Sequence, residues 1–199
     1  MPAGLSTRLK TLTSIMAAMR APVRLLLLLA CAAALPADVS RCACDPARPE
    51  TLKERNCSLC VEAEKQPAGV RYFVLKDANP RKPNRWLALP RRHLPGPHHL
   101  HDLPKPERDE LWRFAVKIAR EKFGEEWGIA YNGADVRTQC HLHLHIGRFA
   151  RAAETSKFLL VRRVEDIPAP ADSGLWVHPV PGGFHVHTGE QITETVLVR

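Results

Sequence analysis

Residues 139–149 read QCHLHLHIGRF, with a histidine at every second position from His141 to His145. On an extended strand, successive side chains alternate between faces, so His141, His143 and His145 are expected on one face and Leu142, Leu144 and Ile146 on the other. At a rise of about 3.3 Å per residue, neighbours on one face stand about 7 Å apart. Zinc–nitrogen bonds are about 2 Å, so three such imidazoles suit one metal ion poorly. A second chemical signal is the CxxC pair Cys57 and Cys60, which can form a disulfide, run redox chemistry or supply half of a zinc site. Nothing around it reads as a strand feeding a thioredoxin-like helix. His98, His99 and His101 fall in a loop rich in Pro and Gly and read as solvated. His185 and His187 alternate in FHVH without a third member and read as surface strand residues. Cys140, on the leucine side of the triad strand, reads as a small buried residue, and Cys42 and Cys44 have no assigned role.

The elements that must position these groups are legible from apolar periodicity. VRYFVL (70–75) and WLAL (86–89) are strand-like and separated by DANPRKPN, a hairpin turn. A helix is expected after Pro104 and Pro106, with Glu107, Asp109 and Glu110 in its first turn and Gly124 beyond its end. Its apolar positions Leu111, Phe114, Ala115 and Ile118 define one buried face. Strands are expected at 128–132 and 140–149, joined by GADVRTQ, then an apolar run at 158–164 and two short strands around PVPGGFHVH and ETVLVR. The pattern is α+β: an antiparallel sheet with one main helix and a short C-terminal β extension.

The chain has 199 residues, 29 Lys and Arg against 21 Asp and Glu. Four of the cations, Arg8, Lys10, Arg20 and Arg24, precede the first acid, Asp38, so the remainder is mildly basic and needs no nucleic-acid partner. MRAPVRLLLLLACAAALPADVS, from Met19, has the charged, apolar, small-residue order of an export signal. Residues 1–37 are thus expected to be an export or lipoprotein leader, cleaved after Ala34 or Ala37, or lipidated at Cys31. Residues 38–56 read as a linker, 57–150 as the domain that carries the three alternating histidines and 151–199 as a β-rich extension packed on it. The expected location is periplasmic or secreted, where cysteines meet an oxidising environment.

HLHLHIG resembles the signature of the histidine triad family, and ALPRRH, ending in His93, is similar to its strand-to-loop segment. The single long helix, the strand ending at Asn132 and RTQ before the triad come in that family's order. The resemblance covers residues 57–149 and implies nucleotidyl chemistry: His143 attacks the α-phosphorus of a nucleotide or nucleotide-linked small molecule, and His145 assists at the phosphate and leaving group. Asn132, Thr138 and Gln139 are implied hydrogen-bond donors to phosphate. Arg148 would add charge, against its opposite strand parity. By similarity to the zinc-containing members, Cys57, Cys60, His93 and His141 would form a closed structural zinc site. Oxidation of Cys57 to Cys60, Cys42 or Cys44 is the competing expectation. The family also implies a homodimer through the helix and strand, unless the C-terminal extension covers that surface. YFVLKD, RTQ and LWVHPVPGG are in addition similar to the CDP-diacylglycerol diphosphatase branch, which would make a membrane surface a partner and CMP and phosphatidate the products. A third reading is an exported zinc-binding module without turnover.

Overall fold

The computed structural model describes Val39 and residues 42–96 and 98–199. The expected leader, its cleavage points and Cys31 lie outside these residues. Among the described residues no helix is long and apolar enough to cross a membrane.

The described residues form an α+β fold: seven antiparallel strands in one open sheet and two α-helices. The strands are β1 (Tyr72–Lys76), β2 (Trp86–Pro90), β3 (Trp127–Tyr131), β4 (Leu144–Arg148), β5 (Leu159–Val161), β6 (Gly174–Val180) and β7 (Gly183–Glu190). Their order across the sheet is β1-β2-β4-β3-β6-β7-β5. The helices are α1 (Ser58–Glu64), which contains the CxxC pair, and α2 (Lys105–Phe123). The expected hairpin before α2 is β1 paired with β2, with Val74 opposite Ala88. PVPGGFHVH spans the turn of a second hairpin, β6 with β7. ETVLVR is not a strand: Glu194–Val196 is a 3-10 turn, and Leu197 makes one isolated bridge to Phe149.

Helix α2 begins with proline in its first turn, where no backbone donor is lost, and closes on Gly124 at φ 58°, a conformation that suits glycine. It buries Leu111, Trp112, Ala115, Val116 and Ala119 against one face of the sheet, made by Ala88, Trp127, Ile129, Leu142, Leu144, Ile146, Leu175 and Val177. The leucine positions of the triad segment therefore lie under α2, as alternation requires. Two smaller clusters cover the other face. At one end α1 packs Leu59 and Ala63 on Phe73, Leu87 and Leu89. Further along, the C-terminal tail packs Val196 and Leu197 on Ala130 and Trp176. Gly128 and Gly147, paired across β3 and β4, leave a trough for Leu197: a Cβ at Gly128 would stand 2.7 Å from the leucine Cδ2.

Two disulfides fasten the segment before α1. Cys42 joins Cys140, and Cys44 joins Cys57. Cys140 is therefore a bonded cysteine, not the free buried residue its strand position suggests. The pairing is compatible with an oxidising compartment. The Cys42–Cys140 bridge closes a loop of 98 residues, and on the chain-entropy account a loop of about 100 residues is worth about 4 to 5 kcal/mol. Cys140→Ser is expected to lower unfolding stability by about 2 to 5 kcal/mol, read from guanidinium denaturation. A wild-type protein under reductant should show the same loss or a larger one, and an unchanged midpoint would rule the bridge out.

Candidate functional site

Strand β4 pairs with β2 and β3 only from Leu144 onward, so His141 and His143 precede the regular ladder. This release from sheet spacing separates the three histidines. His143 and His145 come together, with ring centroids 4.9 Å apart and rings near perpendicular. His141 turns to a different group, 5.4 Å from His93 and 5.3 Å from His98 between centroids. The equal spacing expected from an ideal strand is not what the segment adopts.

Both His143 and His145 line a cleft of about 640 Å³, within the usual range for small-molecule sites. Its walls come from α1, the β1–β2 loop, the segment after β3 and the C-terminal tail. His143 Nδ1 lies 2.8 Å from the carbonyl oxygen of His141. A carbonyl only accepts, so Nδ1 carries the proton and Nε2 keeps the lone pair. Burial lowers the His143 pKa to about 3, with the neighbouring His145 adding to the effect, so the ring is a neutral base at ordinary pH.

His145 has no hydrogen-bond partner on either buried ring nitrogen. Glu194 stands 3.6 Å from its Nδ1, but that carboxylate is shared with Lys82 and Arg85. Burial, reinforced by those two cations, lowers the His145 pKa to about 3. Asn132 accepts three hydrogen bonds at Oδ1, from the Thr193 backbone (2.9 Å), the Thr193 hydroxyl (3.2 Å) and the Glu194 backbone (3.1 Å). Its amide NH2 is thereby oriented with its donors uncommitted to that loop. Thr138 also lines the cleft.

Gln139 is at the wall, but its oxygen accepts from Ser58 Oγ and the Leu59 backbone and its nitrogen donates to the Arg55 carbonyl. It braces helix α1. Arg148 is excluded from the cleft: it is exposed at the far end of β4 and pairs with Glu126 at 3.2 Å. Opposite parity is the physical reason, since even-numbered residues of β4 face away from the triad.

Two buried arginines at this site are not among the expected site residues, although Arg137 opens the RTQ segment. Arg137 donates to the His98 carbonyl (2.6 Å) and the Tyr131 hydroxyl (3.2 Å), bringing a cation to the cleft wall. Arg85 donates to the carbonyl of Leu197 and to Glu194, fixing the tail. The partners of Arg85 lie more than a hundred residues along the chain, beyond any short-range pattern.

The expected four-residue metal set does not assemble, because Cys57 is bonded to Cys44. Cys60, His93 and His141 do come together, with donor atoms within 4.8 Å of one another. The His141 Nε2–H donates to the Pro90 carbonyl at 2.7 Å, which leaves the buried Nδ1 with a lone pair and no partner. Both His93 ring nitrogens are also buried without a hydrogen bond. Cys60 is a free, buried thiol whose pKa burial pushes up to about 12. Three orphaned soft or borderline donors fit a zinc-class ion, which would itself deprotonate the thiol. His98, expected in a solvated loop, is buried beside them, but its Nε2 already accepts from the Leu94 backbone at 2.6 Å.

The low pKa of His145 makes stability depend on pH with a definite sign. Its folded value lies below the unfolded one, so between about pH 6.5 and 3 the unfolded chain binds the extra proton. The stabilisation is complete above about pH 6.5 and is lost as pH falls, by up to about 1.4 kcal/mol per pH unit. His145→Gln should flatten the stability profile between about pH 6 and pH 4 relative to the parent chain in denaturant titrations. Parallel profiles would contradict the assignment. For the metal group, Cys60→Ser should remove one equivalent of bound metal in elemental analysis of the purified protein.

In comparisons with known proteins, no family model and no curated protein sequence matches this chain.

Proposed function

We propose that the chain cleaves or transfers at the α-phosphate of a nucleotide or nucleotide-linked small molecule, with His143 Nε2 as the nucleophile. The observation that carries this reading is the His143 imidazole: neutral, held in the Nδ1–H tautomer by a carbonyl, and lining a cleft beside a second imidazole and an oriented amide. The resemblance of HLHLHIG and its flanking segments to the histidine triad family supports it, as does the sheet with one long helix.

Attack of Nε2 on phosphorus forms an N–P bond as the bond to the leaving group breaks. The neutral His145 ring, 4.9 Å from His143 between centroids, donates a hydrogen bond from its N–H toward the departing oxygen or nitrogen, whose proton comes from water. Asn132 and Thr138 supply donors toward the phosphoryl oxygens, where charge builds up. Water, or another acceptor, then attacks the phosphoramidate and returns the lone pair to Nε2. A metal at Cys60, His93 and His141 would hold the residues before β4 in place and takes no part in these steps.

A second reading, cleavage of CDP-diacylglycerol at a membrane, is favoured by one observation. Edge strand β5 exposes Leu159 and Leu160, at 53 and 56% of their surface, beside Arg162 and Arg163, a combination suited to an anionic lipid surface.

A panel of dinucleotides, aminoacyl adenylates and CDP-diacylglycerol in detergent separates the readings through nucleoside monophosphate release. His143→Ala should reduce the rate by at least about 10³-fold and His145→Ala by about 10² to 10⁴-fold, with a nucleotidyl adduct on His143 trapped in the parent chain. Full activity in His143→Ala would remove the mechanism. Preference for soluble compounds would remove the lipid reading, and no release from any of them would leave a metal-binding module.

A further inference from the structure

Far from the cleft, the same sheet face carries a second cluster of histidines that neither the triad nor the cysteine group uses. His178 on β6 lies directly opposite His185 on β7, and Trp176 lies opposite His187, so all four share one face. That face also carries Ala130 and His145. With β3 and β6 between β4 and β7, His187 is three inter-strand spacings from His145, about 14 Å. Over the hairpin runs the segment after β4, a 3-10 turn at Arg151–Ala153 followed by Glu154 and Thr155. Glu154 reaches down into the histidines.

Four donor atoms converge there within 4.8 Å of one another: one carboxylate oxygen of Glu154 and one ring nitrogen each from His178, His185 and His187. Glu154 contacts His178 Nε2 closely and lies 3.0 Å from His187 Nε2 and 3.5 Å from His185 Nδ1. All three of these nitrogens are buried and have no hydrogen-bond partner. His178 and His187 are only 6 and 2% exposed.

The outer nitrogens decide what the inner ones carry. His178 Nδ1 lies 3.2 Å from the Pro179 carbonyl, which can only accept. Nδ1 therefore holds the proton, and in the neutral ring Nε2 turns a lone pair toward the carboxylate. His187 Nδ1 is held at 3.2 Å by the Thr155 hydroxyl, leaving Nε2 directed inward. The His178 lone pair and the carboxylate facing it repel unless a positive charge lies between them. One proton can serve one such pair. A divalent cation serves all four donors at once.

The rings are also held in place. His187 stacks on Trp176 at 3.5 Å between centroids, His178 on Phe149 at 4.1 Å and His185 on Phe158 at 3.6 Å. Each imidazole is thus clamped by an aromatic face from a different part of the chain. A surface cleft of about 380 Å³ opens onto His178 and Glu154 and gives an approach from solvent.

We infer that Glu154, His178, His185 and His187 form a binding site for a divalent first-row transition metal, with zinc the best match to three imidazoles and one carboxylate. Bond lengths near 2.0 to 2.2 Å for zinc to nitrogen and carboxylate oxygen require only small inward movement of donors already this close. The bound ion ties the segment after β4 to the β6–β7 hairpin, and it is independent of the chemistry at His143.

The test uses the full chain without an affinity tag, stripped by chelator and titrated with Zn(II) by calorimetry and with Co(II) by visible absorption. The site is expected to take one equivalent that survives Cys60→Ser and whose cobalt spectrum lacks the thiolate charge-transfer band that a Cys60 site would give. His178→Ala/His185→Ala should lose that equivalent. Glu154→Ala, at a partly exposed position, should weaken it at least about tenfold, and Thr155→Val by about tenfold. Where the double variant fails to fold by circular dichroism, Glu154→Ala in the Cys60→Ser background decides. Affinity unchanged in Glu154→Ala, or no metal bound by Cys60→Ser alone, overturns the site.

Discussion

The two-sidedness of strand β4 is the constraint on which the rest of the molecule depends. Its even positions Leu144 and Ile146 are committed to the core under α2, so the chemistry of the strand comes from the odd positions and from the face opposite the helix. That face cannot be left bare, because Leu87, Leu89, Ala130 and Trp176 also point there. Helix α1 and the C-terminal tail each cover part of it, and the cleft with His143 and His145 is the space between the two covers. The site is a gap in a packed layer, with walls contributed by both ends of the described chain.

This origin explains the electrostatics. The imidazoles are shielded by the covers, so burial is the largest influence on each of them and holds His141, His143 and His145 neutral. The charged groups at the rim are mostly arranged around Glu194, which accepts from Lys82 and Arg85. Breaking one partner of that set would leave a buried arginine short of its anion, a costly state. The tail is therefore held both by apolar contact in the Gly128–Gly147 trough and by an ion network, and the same tail positions Asn132.

Periodicity made the elements readable: both hairpin strands β1 and β2, the limits of α2, and the placement of the triad leucines under it follow from local pattern. Parity also foreshadowed the exclusion of Arg148. What local pattern cannot contain is pairing between distant segments. Cys42 with Cys140, Arg85 with Glu194, and Glu154 with the β6–β7 histidines are each set by the sheet order. His185 and His187 look like surface residues because their strand alternates, but the segment after β4 crosses over them, leaving His187 buried and His185 half-buried. His141 likewise departs from its two partners because β2 and β3 do not pair with the residues just before Leu144, which no spacing rule records.

The Cys42–Cys140 bridge also has a bearing on how the sheet comes apart. It closes a covalent ring that contains β1, β2, α2 and β3, while β5, β6 and β7 lie outside it. Edge strand β5, with its three residues and exposed leucines, opens outside the ring, whereas β1 and β2 at the opposite edge lie in a segment whose two ends the bridge holds together. One sheet thus has two regimes of local opening: a tethered half ending at the residue before His141, and an untethered half free to fray from its outer edge inward.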